Sequence, residues 1–213
     1  MHLYWHGLTS VRIEASLGDT SCTLLTDPYG SESGLRFPRT LEPNVLVLSH
    51  QNRELFALDA LKNNPFLIAD PGEYEVQGAF VFGTTLQEEG AKHPFPLMYR
   101  FEIEGMSIGF IGGASKAPAA EALGRLENID ILLLPVGGGQ YLDAKKATEV
   151  VHALEPRIVV PLAFAIEGFE LPLASVDAFC KEVGGKREDG NKLKLSRKDL
   201  PADELVVQVL ERT

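Results

Sequence analysis

Short apolar and β-branched runs separated by turn residues fill the first half of the chain. The run at residues 45–48 is apolar throughout, as in a strand that is covered on both faces. A helix is predicted after it over residues 53–61, and a Glu104-Gly105 turn is predicted to join the last two strands of this half. The predicted strands span residues 2–5, 11–14, 22–26, 45–48, 65–68, 74–82, 97–103 and 106–111.

The second half alternates between helical and strand patterns. Asp143 is the predicted cap of a helix whose apolar residues recur at positions 144, 147, 151 and 154. Another apolar helical face covers residues 176–183, includes Cys180 and ends at Gly184-Gly185. A helix over 119–126 and strands over 131–134, 158–160, 193–195 and 205–209 complete the prediction. This order favours an α/β fold of two packed sheets with helices outside, in a single domain over residues 1–213.

The charge balance excludes one class of partner. The chain has 30 Asp and Glu residues against 20 Lys and Arg residues, a formal net charge of −10. A field of that sign repels phosphate backbones, so we expect no nucleic-acid partner. The locally basic stretch 186–198 is interpreted as a solvated hairpin edge. No signal peptide is visible, and the longest apolar run, residues 158–166, is too short to span a membrane. We therefore expect a cytoplasmic protein with no membrane partner.

Isolated histidines and glycine-rich turns give little chemistry by themselves. His2, His6, His93 and His152 are interpreted as surface residues, and no G-x-S-x-G elbow is present. The turns at 112–116 and 137–139 follow predicted strands, and their backbone amides could hold an anion or only form tight turns. Neither turn has the Gly-Lys-Ser/Thr ending of a phosphate-binding loop.

Seven stretches, taken in order, resemble one family. They are Tyr4-Trp5 with Gly7, Leu25-Thr26-Asp27-Pro28-Tyr29, Val47-Leu48-Ser49-His50, Pro71-Gly72-Glu73-Tyr74-Glu75-Val76, Asp130-Ile131-Leu132-Leu133-Leu134-Pro135-Val136-Gly137-Gly138, Asp143-Ala144-Lys145 and Glu155-Pro156-Arg157-Ile158-Val159-Val160-Pro161. The sequence is thereby similar, over nearly its full length, to bacterial metallo-β-lactamase-fold proteins of the ascorbate-6-phosphate-lactonase-like group. The resemblance implies an αββα sandwich, in which two packed sheets carry helices on their outer faces.

The resemblance also implies a site that this chain has largely lost. The family reads His-x-His-x-Asp-His after a strand, takes further His, Asp and His ligands from later loops, and binds two metal ions that share a hydroxide. This chain keeps the first histidine as His50. It differs at Asn52, Glu54 and Leu55 in that loop, at Gln87, Phe110, Gly113 and Ala163 in later loops, and at Leu8 after the first turn. Asp27 matches a position that supports the site loop, or bonds nearby backbone amides as a turn residue.

These differences favour loss of the family's zinc chemistry. A zinc site needs about three protein ligands even where one coordination position stays open to water. Apolar replacements such as Leu55 and Ala163 avoid the cost of a buried ligand cluster without its metal. We call the following ten positions the vestigial site, and expect a cleft to persist among them: Leu8, Asp27, His50, Asn52, Glu54, Leu55, Gln87, Phe110, Gly113 and Ala163.

The sequence therefore predicts a non-catalytic relative, with no catalytic residue, no cofactor, and a cleft that binds an unknown small molecule or protein. Its alternative is a metal-dependent hydrolase of lactonase or phosphoesterase type, with zinc or another divalent metal held weakly, in a mononuclear site on His50 and Glu54. A third hypothesis is a structural subunit that pairs with an active paralogue. Assembly into a homo-oligomer stays open.

Overall fold

The computed structural model describes residues 1–18, 20–86 and 94–213. In these residues the strands β1 to β14 are, in chain order, His2–Gly7, Ser10–Leu17, Thr20–Thr26, Val45–Val47, Phe66–Ile68, Gly72–Val76, Ala79–Thr85, Leu97–Ile103, Met106–Ile111, Ile131–Pro135, Ile158–Leu162, Lys186–Gly190, Leu193–Lys194 and Val206–Leu210. The α-helices α1 to α3 are Ala120–Leu123, Ala144–Leu154 and Val176–Val183.

Two packed sheets form the body of the molecule, as the sequence predicts. One has six strands in the order β13-β1-β2-β3-β4-β5, and the other has eight in the order β12-β14-β11-β10-β9-β8-β7-β6. Strands β3, β4 and β5 are parallel, as are β9, β10, β11, β14 and β12. Trp5 from the first sheet and Tyr99 and Phe101 from the second lie in the same buried cluster. The core therefore lies between the two sheets.

The helices form where the sequence supplies both a cap and an apolar face. The Asp143 side chain accepts a hydrogen bond from the Lys146 amide and so caps the N-terminus of α2. Helix α2 packs on β10 and against α3. Ser175 caps α3 in the same way, and α3 ends at Gly184, whose φ is 71°. The predicted helix at 119–126 is shorter in the structure, because α1 gives way at Gly124 to a 3₁₀ turn over Gly124–Leu126.

Two tight turns decide the pairing of four antiparallel strands. The predicted Glu104-Gly105 turn joins β8 to β9, with φ of 51° and 70° at the two residues. The single strand predicted over 74–82 is wrong, because the chain reverses at Gln77-Gly78 and forms the β6–β7 hairpin. These two residues have φ of 51° and 81°, and a two-residue hairpin turn needs positive φ at both positions.

The helix predicted over 53–61 is also wrong. The structure has two 3₁₀ turns there, Arg53–Leu55 and Leu58–Ala60. Between them Phe56 is extended, and the Ala57 amide donates to the Pro28 carbonyl 2.8 Å away instead of to its own turn. An interaction with the neighbouring segment thus replaces the helical hydrogen bonds.

The basic stretch 186–198 is not the hairpin that the sequence predicts. Strand β12 runs parallel to β14 at the edge of the eight-stranded sheet, whereas β13 pairs with β1 in the other sheet. The connection therefore crosses from one sheet to the other. Of the described residues, no helix is long and apolar enough to cross a membrane.

Candidate functional site

Several strands end at one edge of the sandwich, and most of the vestigial site lies on the loops that follow them. Leu8 follows β1, Asp27 follows β3, Gly113 follows β9 and Ala163 follows β11. Backbone hydrogen bonds join these loops: the Ala163 amide donates to the Leu8 carbonyl at 3.0 Å, and the Asp27 amide donates to the Val47 carbonyl at 3.1 Å. The structure therefore brings together loops that are far apart in the sequence.

Asp27 supports the loop after β4. Its carboxylate is buried and accepts two hydrogen bonds from Ser49, one from the amide at 2.7 Å and one from the hydroxyl at 2.6 Å. Burial raises the pKa of Asp27 to about 6, although the hydrogen bonds from Ser49 act in the opposite direction. The amide that it binds lies 22 residues away in the site loop, so this contact fits the supporting interpretation of Asp27 rather than that of a local turn residue.

His50 and Asn52 are engaged within their own turn. The Nδ1 atom of His50 accepts from the Asn52 amide at 2.9 Å, and the Asn52 side-chain oxygen accepts from the Glu54 amide at 3.2 Å. A neutral imidazole that accepts at Nδ1 carries its proton on Nε2. Neither ring nitrogen then offers a free lone pair to a metal ion. Burial lowers the pKa of His50, which favours this neutral form.

Three apolar members of the vestigial site are buried. Phe110 and Ala163 expose none of their surface, and Leu8 exposes 7%. Phe110 stacks on Phe101 with ring centroids 6.2 Å apart. Phe110 and Ala163 therefore do not line an open cleft. The sequence predicts a cleft among the vestigial positions, and at these two residues the structure differs from that prediction. Phe110 belongs instead to the buried cluster between the two sheets.

The backbone limits which side chains fit at three of the vestigial positions. Leu8 and Ala163 have φ of 46° and 50°, in the left-handed region that non-glycine residues rarely adopt. Gly113 has no positive φ, but a Cβ atom built there would lie 3.0 Å from the Ser49 carbonyl oxygen. A side chain at 113 would therefore require the Ser49 loop to move.

The other members of the vestigial site lie at the surface or outside the described part of the chain. Glu54 is exposed, and Leu55 exposes 54% of its surface. Gln87 and His93 lie outside the described residues. His152 is exposed as predicted. The interpretation of His6 as a surface residue is wrong, since His6 is 97% buried and its Nδ1 lies 3.0 Å from the Thr213 carbonyl oxygen.

Residues that the sequence does not single out line cavities near this edge. A cavity of about 690 Å³ is bounded by Thr84, Pro96 and the segment 114–119, which includes part of the predicted anion-binding turn. Another, of about 680 Å³, has Arg36 and Arg39 in its wall. The second cavity could have been suspected from the sequence, because two arginines lie close together in an otherwise acidic chain. For Ser49, the signal is its place beside His50 at the end of an apolar strand.

A family model matches most of the chain. Residues 2–163 match the model described as "Beta-lactamase superfamily domain". Among solved structures, a protein from Thermotoga maritima, assigned as a Zn-dependent hydrolase of the metallo-β-lactamase superfamily, has a TM-score of 0.79 and 26% identity, with 99% of each chain covered. The metallo hydrolase Igni18 of Ignicoccus hospitalis has a TM-score of 0.61 and 17% identity, over 85% of this chain and 89% of that chain, and so shares the fold.

Curated relatives are also named as metal-dependent hydrolases. A UPF0173 metal-dependent hydrolase of Thermoplasma acidophilum is 24% identical over 84% of this chain and 89% of its own length. One of Thermococcus onnurineus is 25% identical over 78% of this chain and 86% of its own. One of Nanoarchaeum equitans is 32% identical, but over only 39% of this chain and 40% of its own length.

These names contradict the expectation that no cofactor is used. Proteins similar to this chain over most of its length are described as metal-dependent. The expectation rested only on side chains at the positions where the family places its ligands, and it was wrong to exclude a metal ion on that ground. Carbonyl and hydroxyl oxygens can also bind hard cations.

The residues that the structure describes do not fit a two-metal centre. No three His, Cys, Asp or Glu side chains within 1–18, 20–86 and 94–213 are grouped so that they could hold a metal ion. The His50 ring is bonded to its own turn, and the Asp27 carboxylate is occupied by Ser49. His50 and Glu54 could contribute to a simpler site only if the hydrogen bond from the Asn52 amide to His50 opened.

Proposed function

Because this chain belongs to the β-lactamase superfamily, we propose that it is a non-catalytic member that keeps the fold and uses this edge of the sandwich to bind a ligand or partner. One observation carries the proposal. At the first two ligand positions of the superfamily's loop, the polar atoms of His50 and Asn52 accept hydrogen bonds from amides of that loop. An imidazole held in this way neither activates water nor binds a metal ion without first breaking its turn.

The buried positions support the same proposal. Ala163 occupies a ligand position, and Phe110 is another position at which the chain departs from the family's pattern. Neither side chain has a polar atom, and both are fully buried. A metal-bound hydroxide would need an open, polar space among these loops. Instead, the side chains of Phe110 and Ala163 are closed off from solvent.

The surface of the same loop supports binding. Leu55 is more than half exposed at the end of the Arg53–Leu55 turn, whereas most large apolar side chains of the described residues are buried. Exposed apolar side chains next to polar groups are common in contact surfaces. Asn52, Glu54 and Leu55 therefore offer a mixed polar and apolar surface for a partner of unknown identity.

A turnover assay tests the proposal. A lactone, a β-lactam and a phosphodiester are each incubated with the protein after it has been supplied with Zn²⁺, Mn²⁺ or Mg²⁺, beside an active metallo-β-lactamase as positive control. We expect no turnover above that of buffer with the same metal, since the described residues offer no activated nucleophile. Metal-dependent turnover of any of the three that is lost in His50→Ala but kept in His152→Ala would contradict it.

The second candidate is a metal-dependent hydrolase with a remodelled, mononuclear site. The names of the relatives favour it, since they describe metal-dependent hydrolases. His50 and Glu54 would be its ligands, and the Asn52–His50 hydrogen bond would have to open. If this candidate is correct, turnover in the assay above should be lost in Glu54→Ala as well as in His50→Ala. The melting temperature of both variants should stay close to that of the parent.

A further inference from the structure

A cavity of about 680 Å³ lies between the segment that follows β3 and the second 3₁₀ turn after β4. Its walls include Tyr29, Ser31, Arg36, Phe37 and Arg39 on one side and the stretch from Ala57 to Ala60 on the other. None of the nine vestigial positions that the structure describes lines it. The cavity is therefore a candidate site whatever the chemistry of the vestigial site.

The charges around this cavity are mostly positive. Arg36 and Arg39 are exposed, and none of the ion pairs among the described residues includes either of them. Asp59 is the one carboxylate among the described lining residues. Behind the wall, the Arg212 guanidinium donates to the Tyr29 hydroxyl at 3.2 Å and to the Arg36 carbonyl at 2.7 Å. A chain with a net charge of −10 thus gathers three guanidinium groups around one cavity.

The aromatic part of the wall is held in place by packing and hydrogen bonds. Phe37 is 92% buried and meets the Tyr29 ring edge to face, with centroids 5.2 Å apart. The Tyr29 hydroxyl donates to the His6 carbonyl at 2.6 Å. The hydrogen bond from the Ala57 amide to the Pro28 carbonyl joins the two walls. The cavity therefore combines a fixed apolar surface with exposed cationic side chains at its rim.

We propose that this cavity binds the carboxylate or phosphate group of a small molecule with an apolar body. Guanidinium groups present several N–H donors in a planar fork that matches both kinds of oxyanion. Phe37, Ala57 and Ala60 supply apolar surface for the rest of the ligand, as small-molecule sites usually do. Desolvation of the bound anion is offset by two cations of the rim, with Arg212 behind them.

Thermal unfolding with defined probes tests this proposal. The full chain is titrated with inorganic phosphate, phenyl phosphate and benzoate at constant ionic strength, with chloride as the control for salt. A ligand that binds only the native state raises the melting temperature in a saturable way. We expect this for phenyl phosphate or benzoate, and whichever of the two acts more strongly identifies phosphate or carboxylate as the preferred group. No saturable effect of any of the three probes beyond that of chloride would overturn the proposal.

Variants locate the binding. Arg36→Gln/Arg39→Gln should weaken the apparent affinity at least about tenfold, since charge-assisted hydrogen bonds are lost. Lys181→Gln/Lys192→Gln removes the same charge from exposed positions outside this cavity and should leave the affinity unchanged. Arg36→Lys keeps the positive charge but loses the planar guanidinium, so its affinity should lie between those of the two double variants. Equal affinity in the arginine variant and the parent would overturn the proposal. Melting temperatures without ligand confirm that each variant is folded.

Discussion

Asp27 holds the loop after β4 from a distant position in the sequence. Its buried carboxylate fixes both the amide and the hydroxyl of Ser49, the residue just before His50. The sequence motif around Asp27-Pro28 could be recognised, but the choice between a supporting residue and a turn residue could not be made from it. The sequence does not say which amide a carboxylate will meet across the fold.

The raised pKa of Asp27 makes the stability of the protein depend on pH. The folded state binds this proton up to about pH 6, whereas the unfolded chain releases it near the ordinary value of 3.8. Between these values the native state holds more protons, so the free energy of unfolding falls as the pH rises and stays lower above pH 6. The difference of about two pKa units corresponds to about 3 kcal/mol.

Asp27→Asn isolates this contribution. Asparagine keeps an acceptor for the Ser49 amide but has no proton to titrate in this range. Denaturant unfolding of both proteins from pH 4 to pH 7 should show the parent losing about 2.4 kcal/mol of stability relative to Asp27→Asn, because the rest of the effect lies below pH 4. Parallel pH profiles for the two proteins would contradict the burial that we assign to this carboxylate.

At the scale of elements, the turn after β4 is where sequence pattern and structure differ most. Apolar spacing predicts a helix over 53–61, yet the backbone there bonds to Pro28 and forms two 3₁₀ turns. The capped helix α2 was predictable, because its cap and its apolar face are local features. The turn after β4 was not, because a contact with a distant segment determines it.

Asn52 should carry a measurable part of the stability of this turn. Asn52→Ala removes the acceptor for the Glu54 amide and should cost about 1 kcal/mol, as loss of a capping side chain generally does. Asn52→Asp keeps an acceptor and should cost much less. Hydrogen exchange of the Glu54 amide, followed together with the melting temperature, measures the effect. Unchanged exchange in Asn52→Ala would mean that the cap does not hold the turn.

At the scale of the whole molecule, the two-sheet fold was predictable and the state of the site only partly so. Buried parallel strands such as β10 and β11 read as continuous apolar runs, so their place at the centre of a sheet follows from the sequence. That Phe110 and Ala163 differ from the family's pattern was also visible in the sequence. Their complete burial was not, because it depends on how loops from both sheets pack together.

The role of the His50 ring is the central claim of this account. In the structure its Nδ1 accepts from the Asn52 amide, which places the proton on Nε2 and commits the side chain to the turn. Nitrogen-15 NMR of the imidazole distinguishes this tautomer from one in which Nε2 is free to bind a metal ion. The measurement is made on the full chain before and after one equivalent of Zn²⁺. We expect a protonated Nε2 and an unprotonated Nδ1 in both spectra. Loss of the Nε2 proton, with a shift of that nitrogen on addition of zinc, would contradict the account and make His50 a metal ligand.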